Sequence, residues 1–317
     1  MPENPPRLAI VIPCYNEEEA LPLSIPVLIQ IIDDMVRDHM VADDSYILCC
    51  DDGSRDRTWE VIMDMHERDP RIKGVALAHN RGHQYALLAG LVTAKDNCDI
   101  AISIDADLQD DPQAIKKMVA SYLEGNEIVY GVRASRETDS WFKRTTARAF
   151  YTFQNRMGLE TIYDHADFRL MSRRALELLS HYNESNLFLR GIIPQIGLKW
   201  AIVRYDRSPR VAGESKYPLA KMLSFSIDGI TSFSAQPIRM IFFLGLILLV
   251  LDVAMGLYVL VSYCRGVVIP GWSSMMFSIW FLGSLLLVSI GIVGEYIGKI
   301  FVEVKQRPRY EIRDVVF

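Results

Sequence analysis

The chain has 317 residues, half of them apolar, and a formal net charge of −5 at pH 7. This length suits one large domain or two, and the absence of a basic run excludes an obvious nucleic-acid partner. The five cysteines show no paired spacing, which argues against a disulfide framework and a cysteine-ligated metal site.

The first part of the chain alternates between short apolar runs and segments with helical spacing. Strands are predicted over residues 8–12, 46–50, 72–78, 100–104 and 128–132. Helices are predicted over residues 18–37, 57–68, 85–94 and 112–124. This alternation predicts an α/β fold with a largely parallel sheet and helices on both faces.

Polar clusters follow the first four predicted strands, at residues 13–17, 51–56, 80–84 and 105–110. Each cluster alone is also explained as a helix cap. Because ligands of such sheets bind beyond the carboxyl ends of the strands, four clusters together favour one site. The chain has neither a dinucleotide-binding glycine motif nor a P-loop, so we expect phosphates to be bound by metal, carboxylate and arginine.

Asp105 and Asp107 stand at the end of the fourth predicted strand. Two short acidic side chains in one small volume are costly without a cation. Hard oxygen-ligand ions such as Mg²⁺ or Mn²⁺ suit them, and such ions usually also bind substrate phosphates. The alternative is a cap for the helix that starts near Pro112.

Basic residues are frequent further along the chain. Arginine binds phosphate in a bidentate manner, whereas lysine acts as a point charge. Each one alone is also explained as a solvated surface charge. The candidates for phosphate or acceptor binding are Arg133, Arg136, Arg169, Arg210 and Lys216.

Two apolar stretches, at about 240–262 and 275–297, are each long enough to cross a bilayer as a helix. The predicted organisation is a catalytic domain over 1–216, an amphipathic juxtamembrane helix over 217–236, two transmembrane helices within 237–298 and a tail over 299–317. The alternative for the amphipathic segment is packing against the catalytic domain.

Basic residues flank these two stretches more densely than they occupy the loop between them, which carries only Arg265. The positive-inside rule therefore predicts a multi-pass protein of the cell membrane, with the catalytic domain and both termini in the cytoplasm. The polar N-terminus gives no sign of a signal peptide. Asp252 is an intramembrane charge that suits a functional role or contact with a neighbouring helix in a homo-oligomer.

Several motifs resemble those of family 2 glycosyltransferases with the GT-A fold. They are residues 11–17, Asp51 to Ser54, Asp105 to Asp107, and Asp167. The stretches 105–110, 131–136, 167–171 and 213–217, with the two apolar helices, are similar to the polyisoprenyl-phosphate glycosyltransferases. Within these the chain is most similar to the bactoprenol (undecaprenyl-phosphate) glucosyltransferase group, which is related to dolichol-phosphate mannose synthase.

The resemblance implies roles for individual residues. Pro13, Tyr15, Glu17 and Asp52 would hold the nucleoside, and Asp105 would contact nucleotide and sugar. Asp107 would bind the metal, with Asp105 beside it and Gln109 as a weaker ligand.

Arg133 would face the phosphates, and Asp167 takes the position of the catalytic base. A phosphomonoester acceptor has its second pKa near ~6 and is already mostly dianionic at neutral pH. Asp167 therefore has three alternative roles: orienting the acceptor, binding Arg169, or stabilising positive charge on the sugar.

The implied reaction is an inverting, metal-dependent transfer of a hexose to undecaprenyl or another polyisoprenyl phosphate. The best candidate donor is UDP-glucose, and the product would serve envelope glycan synthesis or protein glycosylation. One alternative is mannosyl transfer from GDP-mannose to a dolichyl-type phosphate. Another is a catalytically inactive membrane scaffold. A processive polysaccharide synthase is disfavoured, because the chain lacks the Q-x-x-R-W motif.

Overall fold

The computed structural model describes residues 4–133, 165–184, 187–206, 236–265 and 271–317. These residues fall into two compact units. The first combines the described residues up to 206 with residues 307–317, and the second contains residues 236–306. The chain therefore leaves the first unit and returns to it at its C-terminal end.

The first unit is built around one sheet, to which the described residues contribute eight strands in the order β7-β5-β6-β4-β1-β2-β3-β8. The strands are β1 (Leu8–Cys14), β2 (Tyr46–Asp51), β3 (Ile72–Leu77), β4 (Ile100–Ser103), β5 (Ile128–Arg133), β6 (His165–Ser172), β7 (Trp200–Tyr205) and β8 (Ile312–Val316).

The centre of the sheet is parallel. Strand β1 lies between β2 and β4 and is parallel to both, and β3 continues beside β2 in the same direction. Every residue of β1 and β2 is buried, as expected for parallel strands covered on both faces. Strands β6 and β8 are antiparallel to their neighbours. The prediction of a largely parallel sheet and its first five strands is confirmed, whereas β6, β7 and β8 were not predicted.

The described helices are α1 (Leu21–Arg37), α2 (Thr58–Arg68), α3 (His83–Ala94), α4 (Ala114–Leu123), α5 (Arg173–Ser180), α6 (Leu189–Gln195), α7 (Gln236–Cys264) and α8 (Trp272–Val304). Helix α1 buries one stripe of apolar side chains at helical spacing, including Leu21, Ile25 and Leu28. Ser172 caps the start of α5, because its hydroxyl accepts a hydrogen bond from the backbone N–H of Ala175.

Helices α7 and α8 cover the two apolar stretches of the sequence. Among the described residues, one segment, Phe281–Val304, is long and apolar enough to cross a membrane. The structure therefore gives one candidate membrane helix near the C-terminus, and the predicted two-helix hairpin is not confirmed. The predicted amphipathic helix lies, up to residue 235, outside the described residues.

Candidate active site

The predicted site residues gather at the carboxyl ends of the parallel strands. Strand order reverses between β1 and β4, whose connections run to opposite sides, and such a switch point leaves a crevice for ligands. Strand β6 runs antiparallel to β4, with Ser103 opposite Arg169. The start of β6, with Asp167, therefore lies at the same edge as Asp105.

Two loops at this edge are joined by hydrogen bonds. The backbone N–H of Asn16 donates to Ser54 Oγ at 2.9 Å, and Asn16 Oδ1 accepts from the backbone N–H of Arg55 at 2.9 Å. The backbone N–H of Glu17 donates to Thr58 Oγ1 at 2.8 Å. The loop after β1, where the nucleoside is predicted to bind, is thus fixed to the loop after β2.

Asp52 connects the loop after β2 to the loop before α3. Its buried carboxylate accepts hydrogen bonds from the backbone N–H groups of Arg81, at 2.7 Å, and Gly82, at 2.8 Å. Burial raises the pKa of the Asp52 carboxyl, although these two hydrogen bonds oppose the shift. Gly82 has a φ of +99° and precedes α3, so Asp52 fixes the backbone that presents His83.

His83 lies between two predicted site carboxylates. Its Nε2 atom is 3.7 Å from Asp105 Oδ1 and 3.7 Å from Asp167 Oδ2. Burial lowers the pKa of His83, but Asp167 and Asp105 more than offset this effect and raise it above its ordinary value. The structure therefore brings Asp105 and Asp167 together through a residue of the third polar cluster.

Asp105 is a half-buried carboxylate in a crowded acidic environment. Burial raises the pKa of the Asp105 carboxyl to about 6; His83 opposes the shift, and Asp167, Asp110 and Asp107 add to it. Neighbouring carboxylates that disfavour one another's ionisation are the setting in which a bound cation is most stabilising.

The loop after β4 supplies the predicted metal ligands. Asp107 Oδ1 accepts from the backbone N–H of Gln109 at 3.2 Å. Leu108 between them has a φ of +46°, a strained backbone conformation of the kind that often occurs at functional sites. No group of three or more His, Cys, Asp or Glu side chains among the described residues is arranged to hold a metal alone. Two carboxylates completed by substrate phosphates still fit Mg²⁺.

Asp167 is held by two arginines. Arg190 in α6 donates from Nε to Oδ1 at 3.2 Å and from Nη2 to Oδ2 at 3.0 Å, and Arg169 donates from Nη2 to Oδ1 at 2.5 Å. Burial raises the pKa of the Asp167 carboxyl, but Arg190, His83 and Arg169 outweigh it and hold this pKa well below its usual range. The carboxylate is therefore ionised, and its two oxygens are oriented by charged donors.

Arg169 and Arg133 contact carboxylates of the protein. The Arg169 side chain is 1% exposed and pairs with Asp167. Arg133 places Nε at 2.9 Å and Nη2 at 2.8 Å from Oδ1 of the buried Asp110. Phosphate binding by Arg169 and Arg133 stays a prediction, whereas the alternative in which Asp167 binds Arg169 agrees with the geometry.

The other residues predicted to hold the nucleoside lie on β1 and in the loop after it. Pro13 is buried in β1 opposite Cys50, Tyr15 is 39% exposed, and Glu17 begins the hydrogen-bonded turn that leads into α1. Their contacts with a nucleoside stay predictions. The remaining basic candidates, Arg136, Arg210 and Lys216, lie outside the described residues.

Sequence reasoning did not assign roles to His83, Arg190 and Asp110. His83 and Asp110 belong to polar clusters identified in the sequence. Their location near the strand ends was therefore predicted, but the side chains they contact were not. Arg190 follows no predicted strand. Its contact with Asp167 depends on where α6 docks, and nothing in the local sequence signals that docking.

Residues 9–179 of the chain match the sequence profile of the family described as "Glycosyl transferase family 2". The uncharacterized glycosyltransferase YkoT of Bacillus subtilis (strain 168) is 53% identical over 98% of this chain and 93% of its own. The bactoprenol glucosyl transferase of Shigella phage SfX is 35% identical over 97% of this chain and 99% of its own.

The chain belongs to glycosyl transferase family 2. It is therefore an enzyme of the glycosyltransferase class, with the GT-A arrangement of a mostly parallel sheet. Among solved structures, mannosyl-3-phosphoglycerate synthase from Rubrobacter xylanophilus is similar, with a TM-score of 0.49 and 16% identity over 74% of each chain. Membership of this family favours an enzyme over the alternative of a catalytically inactive membrane scaffold.

Proposed function

We propose that this glycosyltransferase transfers a hexose from a nucleoside-diphosphate sugar, best UDP-glucose, to the phosphate of a polyisoprenyl lipid such as undecaprenyl phosphate. The observation that carries the proposal is the cluster of Asp105, His83, Asp167 and Arg190 at the carboxyl edge of the sheet. Relatives named bactoprenol glucosyl transferase support the donor and acceptor. The candidate membrane helix supports a lipid acceptor.

The reaction we propose is an inverting displacement at the anomeric carbon by a phosphate oxygen of the acceptor. Asp105 and Asp107, with Gln109, would hold Mg²⁺ or Mn²⁺, which would supply charge neutralisation for the nucleoside diphosphate that leaves. Asp167 is ionised and fixed by Arg169 and Arg190. It faces a site in which positive charge develops on the sugar, and we assign it electrostatic stabilisation and orientation.

We propose that α7 and α8 form a two-helix transmembrane hairpin in the cell membrane, with the catalytic unit and the tail on the cytoplasmic side. Two observations support this. Phe281–Val304 has the length and composition of a span, and residues 307–317 belong to the same compact unit as the catalytic sheet. A chain that leaves this unit for the membrane and returns to it must cross an even number of times.

A donor panel tests the proposal. Purified full-length protein is given undecaprenyl phosphate, Mg²⁺ or Mn²⁺, and UDP-glucose, UDP-galactose, UDP-N-acetylglucosamine or GDP-mannose in turn. We expect lipid-linked glucose as the main product and no product in chelator. Lipid-linked mannose from GDP-mannose would replace the donor assignment, and full activity in chelator would refute the metal assignment.

A matched pair of variants accompanies the panel. Asp107→Asn removes one proposed ligand charge and should abolish metal-dependent turnover while the protein stays folded. Asp96→Asn is the control, since the Asp96 side chain is 80% exposed and lies in the turn before β4. Equal activity of the two variants would contradict a role for Asp107 in metal binding.

A further inference from the structure

The C-terminal tail, residues 307–317, docks on the catalytic sheet. Strand β8 pairs with β3 in antiparallel register, with Val315 opposite Val75 and Val316 opposite Gly74. The backbone N–H of Ala78 donates to the carbonyl of Glu311 at 2.8 Å, which extends the pairing beyond β8. The ring of Phe317 lies edge-on to Tyr46, with centroids 6.1 Å apart. The tail is thus an integral strand of the catalytic unit.

Two residues at the start of the tail contact segments that lead to the active site. Arg309 donates from Nη1 to the carbonyl of Tyr182 at 2.5 Å and from Nη2 to Asn183 Oδ1 at 3.4 Å. Tyr310 packs against Leu77, Ala86 and Ala89. Arg309 therefore contacts two residues that follow α5, and Tyr310 packs on α3.

Both contacts lie close in the chain to residues that contact Asp167. Helix α3 starts at His83, and α6 carries Arg190. A hydrogen bond joins the two helices, because Gln84 Oε1 accepts from the backbone N–H of Leu189 at 3.0 Å. A shift of α3 or of α6 would consequently change the positions of both His83 and Arg190 around Asp167.

We propose that Arg309 and Tyr310 are positioning residues for glycosyl transfer. By docking on α3, which is hydrogen-bonded to α6, and on residues 182 and 183, they fix His83 and Arg190 around the Asp167 carboxylate. The inference rests on the proposed function, because it concerns the rate of that transfer. Helix α8 ends at Val304, five residues before Arg309 in the sequence.

Because His83 and Arg190 surround Asp167, we expect loss of a tail contact to affect kcat more than KM for the donor. Tail contacts reach α3 and α6, whereas the loops after β1 and β2, where the nucleoside is predicted to bind, are fixed by their own hydrogen bonds. Loss of a tail contact should thus lower kcat and leave KM for the donor nearly unchanged. Displacements of about 1 Å in catalytic groups cost roughly 100-fold in rate, so we expect a loss of about 10- to 100-fold.

The test uses full-length protein and compares Arg309→Ala and Tyr310→Ala with Glu311→Ala. The control lies in the same tail and has an exposed side chain, and only its backbone carbonyl makes the contact described above. We expect a lower kcat at unchanged donor KM for the first two and wild-type kinetics for the control. Tyr310→Phe should restore kcat fully because the ring makes the contact, and Arg309→Lys should restore it in part.

Hydrogen exchange gives a readout that does not depend on transfer. In Arg309→Ala and Tyr310→Ala, amides in the first turn of α3 and in α6 should exchange faster, while those of α1 stay unchanged. Wild-type kcat in both variants, or an equal fall of kcat, donor affinity and α1 protection, would overturn the proposal. A wild-type protein that makes no lipid-linked sugar would instead refute the proposed function and leave the exchange result to decide the positioning role.

Discussion

Asp167 shows how this site sets the charge of one carboxylate. Its carboxyl is buried, which alone would favour the neutral acid, yet Arg190, His83 and Arg169 lie against it and favour the anion. Its pKa therefore lies well below the ordinary value, and the group stays ionised as pH falls through the neutral and mildly acidic range. A group that is already ionised and bound by two guanidinium groups is a weak proton acceptor.

The pH dependence of the rate follows from this. The acid limb of kcat/KM should report the second ionisation of the acceptor phosphate, near ~6, and the Asp105 carboxyl, whose pKa burial raises to about 6, with the rate falling as pH falls. Asp167→Asn should lower kcat by about 100-fold through lost orientation and charge, and its residual rate should keep the same limb. Rate profiles of both proteins from pH 5 to 9 check this. Loss of the limb in the variant would identify Asp167 as the titrating base.

The ion pair between Arg133 and Asp110 indicates that Arg133, a predicted phosphate ligand, also has a structural role. Asp110 is 2% exposed, and removing Arg133 leaves its charge buried without that partner. Breaking a buried pair from one side costs about 3–5 kcal/mol, so Arg133→Ala should lower the free energy of unfolding by about that amount. Urea unfolding followed by tryptophan fluorescence measures it.

The double variant Arg133→Ala with Asp110→Asn is the control for this pair. It removes the buried charge as well, and so should recover most of the lost stability. If the single variant is as stable as the wild type yet binds donor poorly, the pair is not structural and Arg133 acts mainly on phosphate.

The sequence predicted some of these residues better than others. Asp105 and Asp107 were found because a buried apolar strand ends directly before them, a purely local pattern. Asp167 was found by resemblance, since its place in a strand was not predicted. Arg190 was missed because its role exists only after α6 has placed it against Asp167, and a contact between residues 167 and 190 leaves no periodic signal in the sequence.

Whole strands also divide into those with a local sequence pattern, which were predicted, and those without one, which were missed. The first five strands were predicted because each is a continuous apolar run of a fully covered parallel strand. Strand β6 carries Asp167 and Arg169 among apolar residues, which hides it. Strands β7 and β8 lie at the two edges of the sheet, and their exposed positions remove the apolar pattern. Pairing of β8 with β3 joins residues more than 200 positions apart, which no local pattern reveals.

Asp52 links two elements, and its removal should loosen one of them. The carboxylate accepts two backbone N–H groups in the loop before α3, and hydrogen bonds to charged groups contribute about 1.5–3 kcal/mol each. Asp52→Ala should lower the free energy of unfolding by about 3 kcal/mol and speed amide exchange at residues 81–84. Mass spectrometry after hydrogen exchange follows these amides.

Asp43→Ala is the matched control for Asp52→Ala. Asp43 is an exposed aspartate just before β2, whereas Asp52 directly follows β2. Surface substitutions of this kind change stability by less than about 0.5 kcal/mol. Unchanged exchange at residues 81–84 in the Asp52 variant would show that the loop is held by other contacts, and would leave base recognition as the better explanation for this residue.

At the scale of the whole molecule, the returning tail constrains how the chain crosses a membrane. Residues up to 206 and residues 307–317 form one compact unit, in which β8 is paired with β3. Both ends of the intervening chain must therefore lie on one side of any bilayer. A single crossing by Phe281–Val304 would separate them. The proposed hairpin avoids this separation, because α7, with 29 residues, has the length for a second crossing.

Cysteine labelling tests this topology with the native chain. Cys264 is exposed at the end of α7, whereas Cys14, Cys49, Cys50 and Cys98 are buried. In the two-crossing arrangement Cys264 faces the outside, so a membrane-impermeant maleimide should label the wild type in intact bacterial cells and should not label Cys264→Ser. Arg313→Cys in the Cys264→Ser background should react only after permeabilisation, because the tail is inside. Labelling of Arg313→Cys in intact cells would place the tail outside and overturn the proposed two-crossing arrangement with a cytoplasmic tail.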